Sequence, residues 1–82
     1  MRVTVLVRPK DGILDPQGEA IDRSLAGLGY PTQGVRAGRV FDLELDAASP
    51  DEAERVAREV AERVLANNLI ERFDVVVHGE GG

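Results

Sequence analysis

From Arg2 to Arg8 the chain reads RVTVLVR, with Val3, Val5 and Val7 on one parity and Thr4 and Leu6 on the other. A period of two predicts a strand with one face buried. Pro9-Lys10-Asp11-Gly12 ends it, because proline offers no N–H to a ladder and Asp-Gly favours a turn. The period then changes. Ala20, Ile21, Leu25 and Leu28 recur at helical spacing behind Asp15-Pro16. That spacing predicts a helix over roughly Pro16 to Leu28, with Asp15 as N-cap and proline where a missing N–H costs nothing. Gly29 and Pro31 mark its end.

Val35 to Asp46 returns to alternation, with Phe41, Leu43 and Leu45 on one side and Asp42 and Glu44 on the other. Gly38 interrupts it, so the segment is one kinked strand or two short ones. Ser49-Pro50-Asp51-Glu52 is a capping box that opens a second helix, with acidic residues at the positive end of its dipole. Ala53, Val56, Ala57, Val60 and Val64 form its apolar stripe. Asp51 with Arg55, Glu54 with Arg58 and Glu59 with Arg63 fall at i,i+4 on the solvated side. Asn67-Asn68 closes this helix, and Phe73, Val75 and Val77 alternate with Asp74, Val76 and His78 in a last strand.

The order β-α-β-α-β predicts an α+β two-layer sandwich on the ferredoxin-like plan, an antiparallel sheet with both helices on one face. A single domain over residues 1–82 is expected, with a frayed tail at 79–82. The sheet face away from the helices would carry Leu6, Val76 and Val40 beside Thr4, Asp42 and Glu44. It is too apolar for a water face, so a second subunit is expected to pack there.

Length sharpens that expectation. A chain of 82 residues buries only roughly 60% of its unfolded surface. With no cysteine there is no disulfide or thiolate-metal staple, which leaves association as the common stabilising device. The net charge of -5 repels phosphate backbones and anionic membranes. No apolar run is long enough to span a bilayer, and Met1-Arg2 leads into a strand, not a signal peptide; a cytoplasmic protein is expected. Lys10 is the only lysine, an arginine bias found in heat-adapted families and in GC-rich genomes alike.

Catalytic equipment is sparse. Ser24 and Ser49 lie within or at the start of helices, and Ser49 reads as a cap. His78 has no second histidine or cysteine for a zinc site or triad. Gly27-x-Gly29 sits at a helix end, where a phosphate loop has no use for it. The loop beside Lys10 could hold an anion, but Asp11 and Asp15 oppose one, and capping is the better account of Asp15. Asp42 and Glu44 project together from a strand without the further ligands that magnesium or acid-base work needs. Arg36 and Arg39 flank Gly38, placed for charge-assisted contacts with a partner's carboxylates or as ordinary surface arginines. Gly18, early in a helix, suggests close approach of another backbone or chain.

Three segments taken together, RPKDGILDPQGEAIDRSLAGLGY, VRAGRVFDLEL and LANNLIERFDV, resemble the PurS family, the small subunit of phosphoribosylformylglycinamidine (FGAM) synthase in purine biosynthesis. The resemblance spans nearly the whole chain. It implies a non-catalytic subunit that joins a large synthetase subunit to a glutaminase subunit and supports ammonia transfer, itself forming a homodimer or a tetramer. It implies that ATP and magnesium belong to the large subunit and that this chain binds no cofactor. Asp15, Pro16, Gln17 and Gly18 match the family's Asp-Pro-Gln-Gly. Arg36, Gly38 and Arg39 match its Val-Arg-x-Gly-Lys, with arginine at the last place. Asn68 replaces a proline common in the family, and Glu71-Arg72-Phe73 differs slightly from its acidic-aromatic ending. The resemblance carries no catalytic or metal residues. Asp15, Gln17, Gly18, Arg36, Gly38 and Arg39 are therefore the candidate partner contacts, and Asp-Pro-Gln-Gly reads as a docking corner. An ACT-like small-molecule-sensing module, which shares the ferredoxin-like sheet, is the alternative by fold analogy.

Overall fold

The computed structural model describes residues 1–79. Along it run β1 (Arg2–Pro9), α1 (Pro16–Gly27), β2 (Arg39–Glu44), α2 (Pro50–Val60) with a π turn continuing it over Ala61–Leu65, and β3 (Glu71–Val77). The sheet order is β2-β1-β3, with both neighbours antiparallel to the central β1. Val5 lies opposite Phe41 and Val75, and Val7 opposite Arg39 and Phe73. Residues directly opposite share a face. The β1 valines, Phe41, Leu43, Phe73, Val75 and Val77 therefore line one side. Val3, Val5 and Val7 are buried, and Ala53, Ala57 and Ala61 press against them from α2 and the π turn. Alanines at this spacing let the helix backbone approach a sheet whose own side chains are branched and bulky.

α2 starts as expected. Ser49 Oγ accepts from the Glu52 N–H at 3.2 Å and Glu52 reaches back to the Ala48 N–H at 3.1 Å. Two details differ. Arg55 pairs with Glu59 at 3.3 Å, one turn ahead, while Arg58 pairs with Glu54 as the spacing predicts. And Val64, expected in the apolar stripe, is 75% exposed, whereas Leu65 packs against the core. The π turn is the cause: its wider i→i+5 closure, seen in the Ala66 N–H to Ala61 carbonyl bond of 2.9 Å, advances the stripe by one residue.

β2 begins after Gly38, so the middle segment is one strand preceded by an arm, 33–38, that joins no ladder. This bears on α1. α2 packs over β1 and β3, but α1 stands off the sheet; its only buried residue is Gly18, and Leu28 is 74% exposed. The α+β, ferredoxin-like order is as expected, and the placement of α1 over the sheet is not. The radius of gyration is 15.9 Å, with extents of 49 × 30 × 14 Å. A compact chain of this length has a radius of roughly 12 Å. The excess is the arm and helix reaching beyond the sheet. The other sheet face carries Leu6, Val40 and Val76 as expected, with Val40 62% exposed. From residue 80 onward the expected tail lies outside the described residues.

Candidate functional site: the corner between α1 and the arm

All six candidate residues lie around the corner where α1 starts and the arm turns into β2. Pro16 and the cap fix the entry to α1. Asp15 Oδ1 accepts from the Gly18 N–H at 3.0 Å, which is the capping bond. The same carboxylate does a second thing that sequence alone did not reveal: Oδ2 accepts from the Ala37 N–H at 2.8 Å. Those two backbone donors hold the Asp15 carboxyl below its ordinary value, the Ala37 bond having the larger effect.

Gly18 explains how the arm comes so close. A Cβ on it would lie 2.3 Å from the Val35 carbonyl oxygen. The close approach read from sequence is therefore met by the arm of the same chain. Gly38 is similar, since a Cβ there would stand 2.4 Å from the carbonyl oxygen of Val7 on β1. Any side chain would push the arm off the sheet end.

The two arginines brace the same corner. Arg36 donates to Asp11 at 3.0 Å and to the Pro9 carbonyl, tying the arm to the loop after β1. The Arg36 guanidinium holds the Asp11 carboxyl below its usual range. Arg39 reaches across the sheet end to Glu71 at 2.6 Å and lies over the Phe41 ring, 5.7 Å from its centre. Glu71 also accepts from the Asn67 N–H at 2.8 Å, and this bond chiefly lowers its carboxyl, with Arg39 adding to it. Glu71 is thus a site residue whose role no local pattern announces, because its partners lie in a turn and on another strand.

Between these elements opens a cleft of about 280 Å³, lined by Pro9, Leu14, Gln17, Gly38, Arg39 and Glu71 among others. Among the described residues Gln17 has no hydrogen-bond partner for its side chain. The carboxylates around the cleft are already occupied by backbone N–H or guanidinium groups, which leaves them poor proton acceptors at neutral pH. Elsewhere, Thr4 Oγ1 donates to Asp42 at 2.7 Å and lies 2.7 Å from His78 Nε2. The one hydroxyl proton goes to Asp42, so His78 is the donor to Thr4. Glu44 pairs with Arg2 at 3.4 Å. Among the described residues no group of three or more His, Asp or Glu side chains is placed to hold a metal. The corner's chemistry is that of holding a shape.

A family model described as "Phosphoribosylformylglycinamidine (FGAM) synthase", PurS, matches residues 2–79. The chain belongs to the PurS family. It is 40% identical over 75 residues to the PurS subunit of phosphoribosylformylglycinamidine synthase from Mycobacterium leprae, covering 90% of this chain and 91% of that one. With the PurS subunit from Archaeoglobus fulgidus it shares 36% over 77 residues, covering 93% and 96%. A solved structure of PurLQS from Thermotoga maritima contains a chain that superposes with a TM-score of 0.84 at 28% identity, over 92% of this chain and 93% of that one. Asn68, expected to replace a proline, has a visible role. Its side-chain amide donates to the Glu62 carbonyl at 2.8 Å, and its own carbonyl accepts from Lys10 at 2.7 Å, closing the turn that a proline would stiffen.

Proposed function

We propose that the chain is the small subunit of FGAM synthase in de novo purine biosynthesis, a non-catalytic part that joins an ATP-dependent synthetase subunit to a glutaminase subunit. The observation that carries this is the PurS match over residues 2–79, taken with the related chain that forms part of the Thermotoga maritima PurLQS assembly. The physical reading agrees. The chain is 14 Å thin, exposes apolar residues on α1 and on the open sheet face, and offers carboxylates that are already spoken for.

Such a subunit works by position. Ammonia released in water is diluted and protonated; holding two active sites in one assembly raises its effective concentration at the acceptor and shields it in transit. ATP and magnesium bind the large subunit in this reading, this chain holds no cofactor, and the assembly operates in the cytoplasm. The chain also pairs with itself, since neither α1 nor the open sheet face is covered within one copy.

Reconstitution tests it. Glutamine-dependent FGAM synthesis by the large and glutaminase subunits should require this chain, while synthesis from added ammonium salt should depend on it far less. Undiminished glutamine-dependent activity without the chain overturns the proposal.

A further inference from the structure

Asp11 stands immediately before Gly12, and it is the only aspartate or asparagine in the sequence that precedes a glycine. A glycine puts no side chain in the way when its own nitrogen attacks the carboxyl carbon of the residue before it, a reaction that closes a five-membered succinimide ring. The loop favours that attack. The Asp11 side chain is 83% exposed, the Gly12 N–H has no hydrogen-bond partner among the described residues, and a Cβ at Gly12 would meet nothing within 4 Å. Ring closure there displaces no packed neighbour.

Two features oppose it, and Arg36 has a hand in both. The Ile13 N–H donates to the Lys10 carbonyl at 3.2 Å and Gly12 has a φ of +84°, while no described residue other than glycine has a positive φ. Residues 10–13 thus form a type II turn, which keeps the Asp11 backbone extended. In that turn the Gly12 nitrogen is rotated away from the Asp11 carboxyl, and the turn must open before the ring can close. Arg36 holds it at two points, donating to the Pro9 carbonyl just before the turn and to the Asp11 carboxylate within it, the latter at 3.0 Å. The same guanidinium, with Arg72 further off, keeps the Asp11 carboxyl below its ordinary value. An ionised carboxylate is a poor electrophile, because the departing oxygen leaves as water only from the neutral acid.

We infer that Asp11-Gly12 is a site of spontaneous isoaspartate formation in this chain, and that Arg36 is the side chain that restrains it. The atoms balance with water alone. The Gly12 nitrogen bonds to the Asp11 Cγ and gives up its proton as a carboxyl oxygen leaves as water. A second water then opens the ring at the former main-chain carbonyl, breaking that carbon's bond to the Gly12 nitrogen; opening at Cγ instead restores aspartate. The isoaspartyl main chain runs through Cβ, is one methylene longer and leaves a free carboxylate on Cα. Such a linkage does not rebuild the type II turn, so of its two partners in this loop Arg36 keeps only the Pro9 carbonyl.

Incubating the full chain at neutral pH and mapping its peptides over time tests this. The expected sequence is an Asp11 peptide lighter by one water, then one of unchanged mass that an aspartate-specific protease no longer cuts at residue 11. Arg36→Gln should speed its appearance roughly fivefold, the change in rate that follows from losing one modest charge-assisted contact. Molar salt should raise the parent's rate toward that of the variant and leave the variant's unchanged, because the pair is exposed and a Debye length of about 3 Å screens it. The salt comparison on the parent needs no variant, so the restraint is tested even where Arg36→Gln does not fold. A parent rate indifferent to salt, or equal rates in parent and folded Arg36→Gln, overturns the role of Arg36. Isoaspartate that appears first at another aspartate, or never at residue 11, overturns the site.

Discussion

The Asp15 carboxylate accepts the backbone N–H of Ala37, 22 residues further along the chain, at 2.8 Å. That single bond converts a helix cap into a clamp, because the other oxygen of the same carboxylate holds Gly18. Asp15→Asn separates the two roles. An asparagine side chain caps a helix about as well as aspartate, but it has only one oxygen to accept with, and its amide nitrogen cannot take the second N–H. The Gly18 amide should therefore stay protected from hydrogen exchange in the variant, while the Ala37 amide exchanges roughly tenfold faster. Equal protection of Ala37 in both proteins would show that the arm is held by something else.

Gly18 and Gly27 lie in the same helix and should respond in opposite ways to alanine. A Cβ at Gly18 meets the Val35 carbonyl at 2.3 Å, and backbone must move to admit it; a Cβ at Gly27 meets nothing within 4 Å. Gly18→Ala should destabilise the protein by about 1–3 kcal/mol, the usual range for overpacking, despite alanine's better helix propensity. Gly27→Ala should be neutral or stabilising by up to about 1 kcal/mol. Denaturant midpoints of the two variants check this, and a Gly18→Ala protein as stable as the parent would remove the steric account of the corner.

How much of this was legible in the sequence depends on how far apart the partners lie. The β1 valines, the Ser49 cap and the alanine stripe of α2 announce themselves through period and spacing, since their causes sit within a turn or two of the residue. Gly18 was readable as a close approach, but not what approaches, because Val35 lies on a segment that shows no pattern tying it to α1. The Asp15–Ala37 bond is invisible for the same reason, since a backbone N–H has no sequence signature, and the Glu71–Arg39 ion pair because its two side chains sit on different strands, 32 residues apart. Val64 leaves the expected apolar stripe because a π turn changes the period without changing composition. The position of α1 follows from the arm leaving the sheet at Gly38, where the sequence signals a break but not its direction.

Acid should unfasten this arrangement ahead of the rest of the fold. The carboxyls of Asp11, Asp15 and Glu71 all titrate in the folded chain below their ordinary values of 3.8, 3.8 and 4.5. A lowered folded value means that the unfolded chain binds protons first, so the stabilisation is complete above the ordinary values and is lost as pH falls through the lowered ones. Asp11 is exposed and bound chiefly by Arg36, and salt should screen its share. Asp15 and Glu71 are held mainly by backbone N–H groups, so their share should persist in salt. Urea midpoints should fall between roughly pH 5 and pH 3 in the parent, and the slope should flatten in an Asp15→Asn, Glu71→Gln double variant. An unchanged slope in that variant would place the acid lability on other carboxylates and away from the corner.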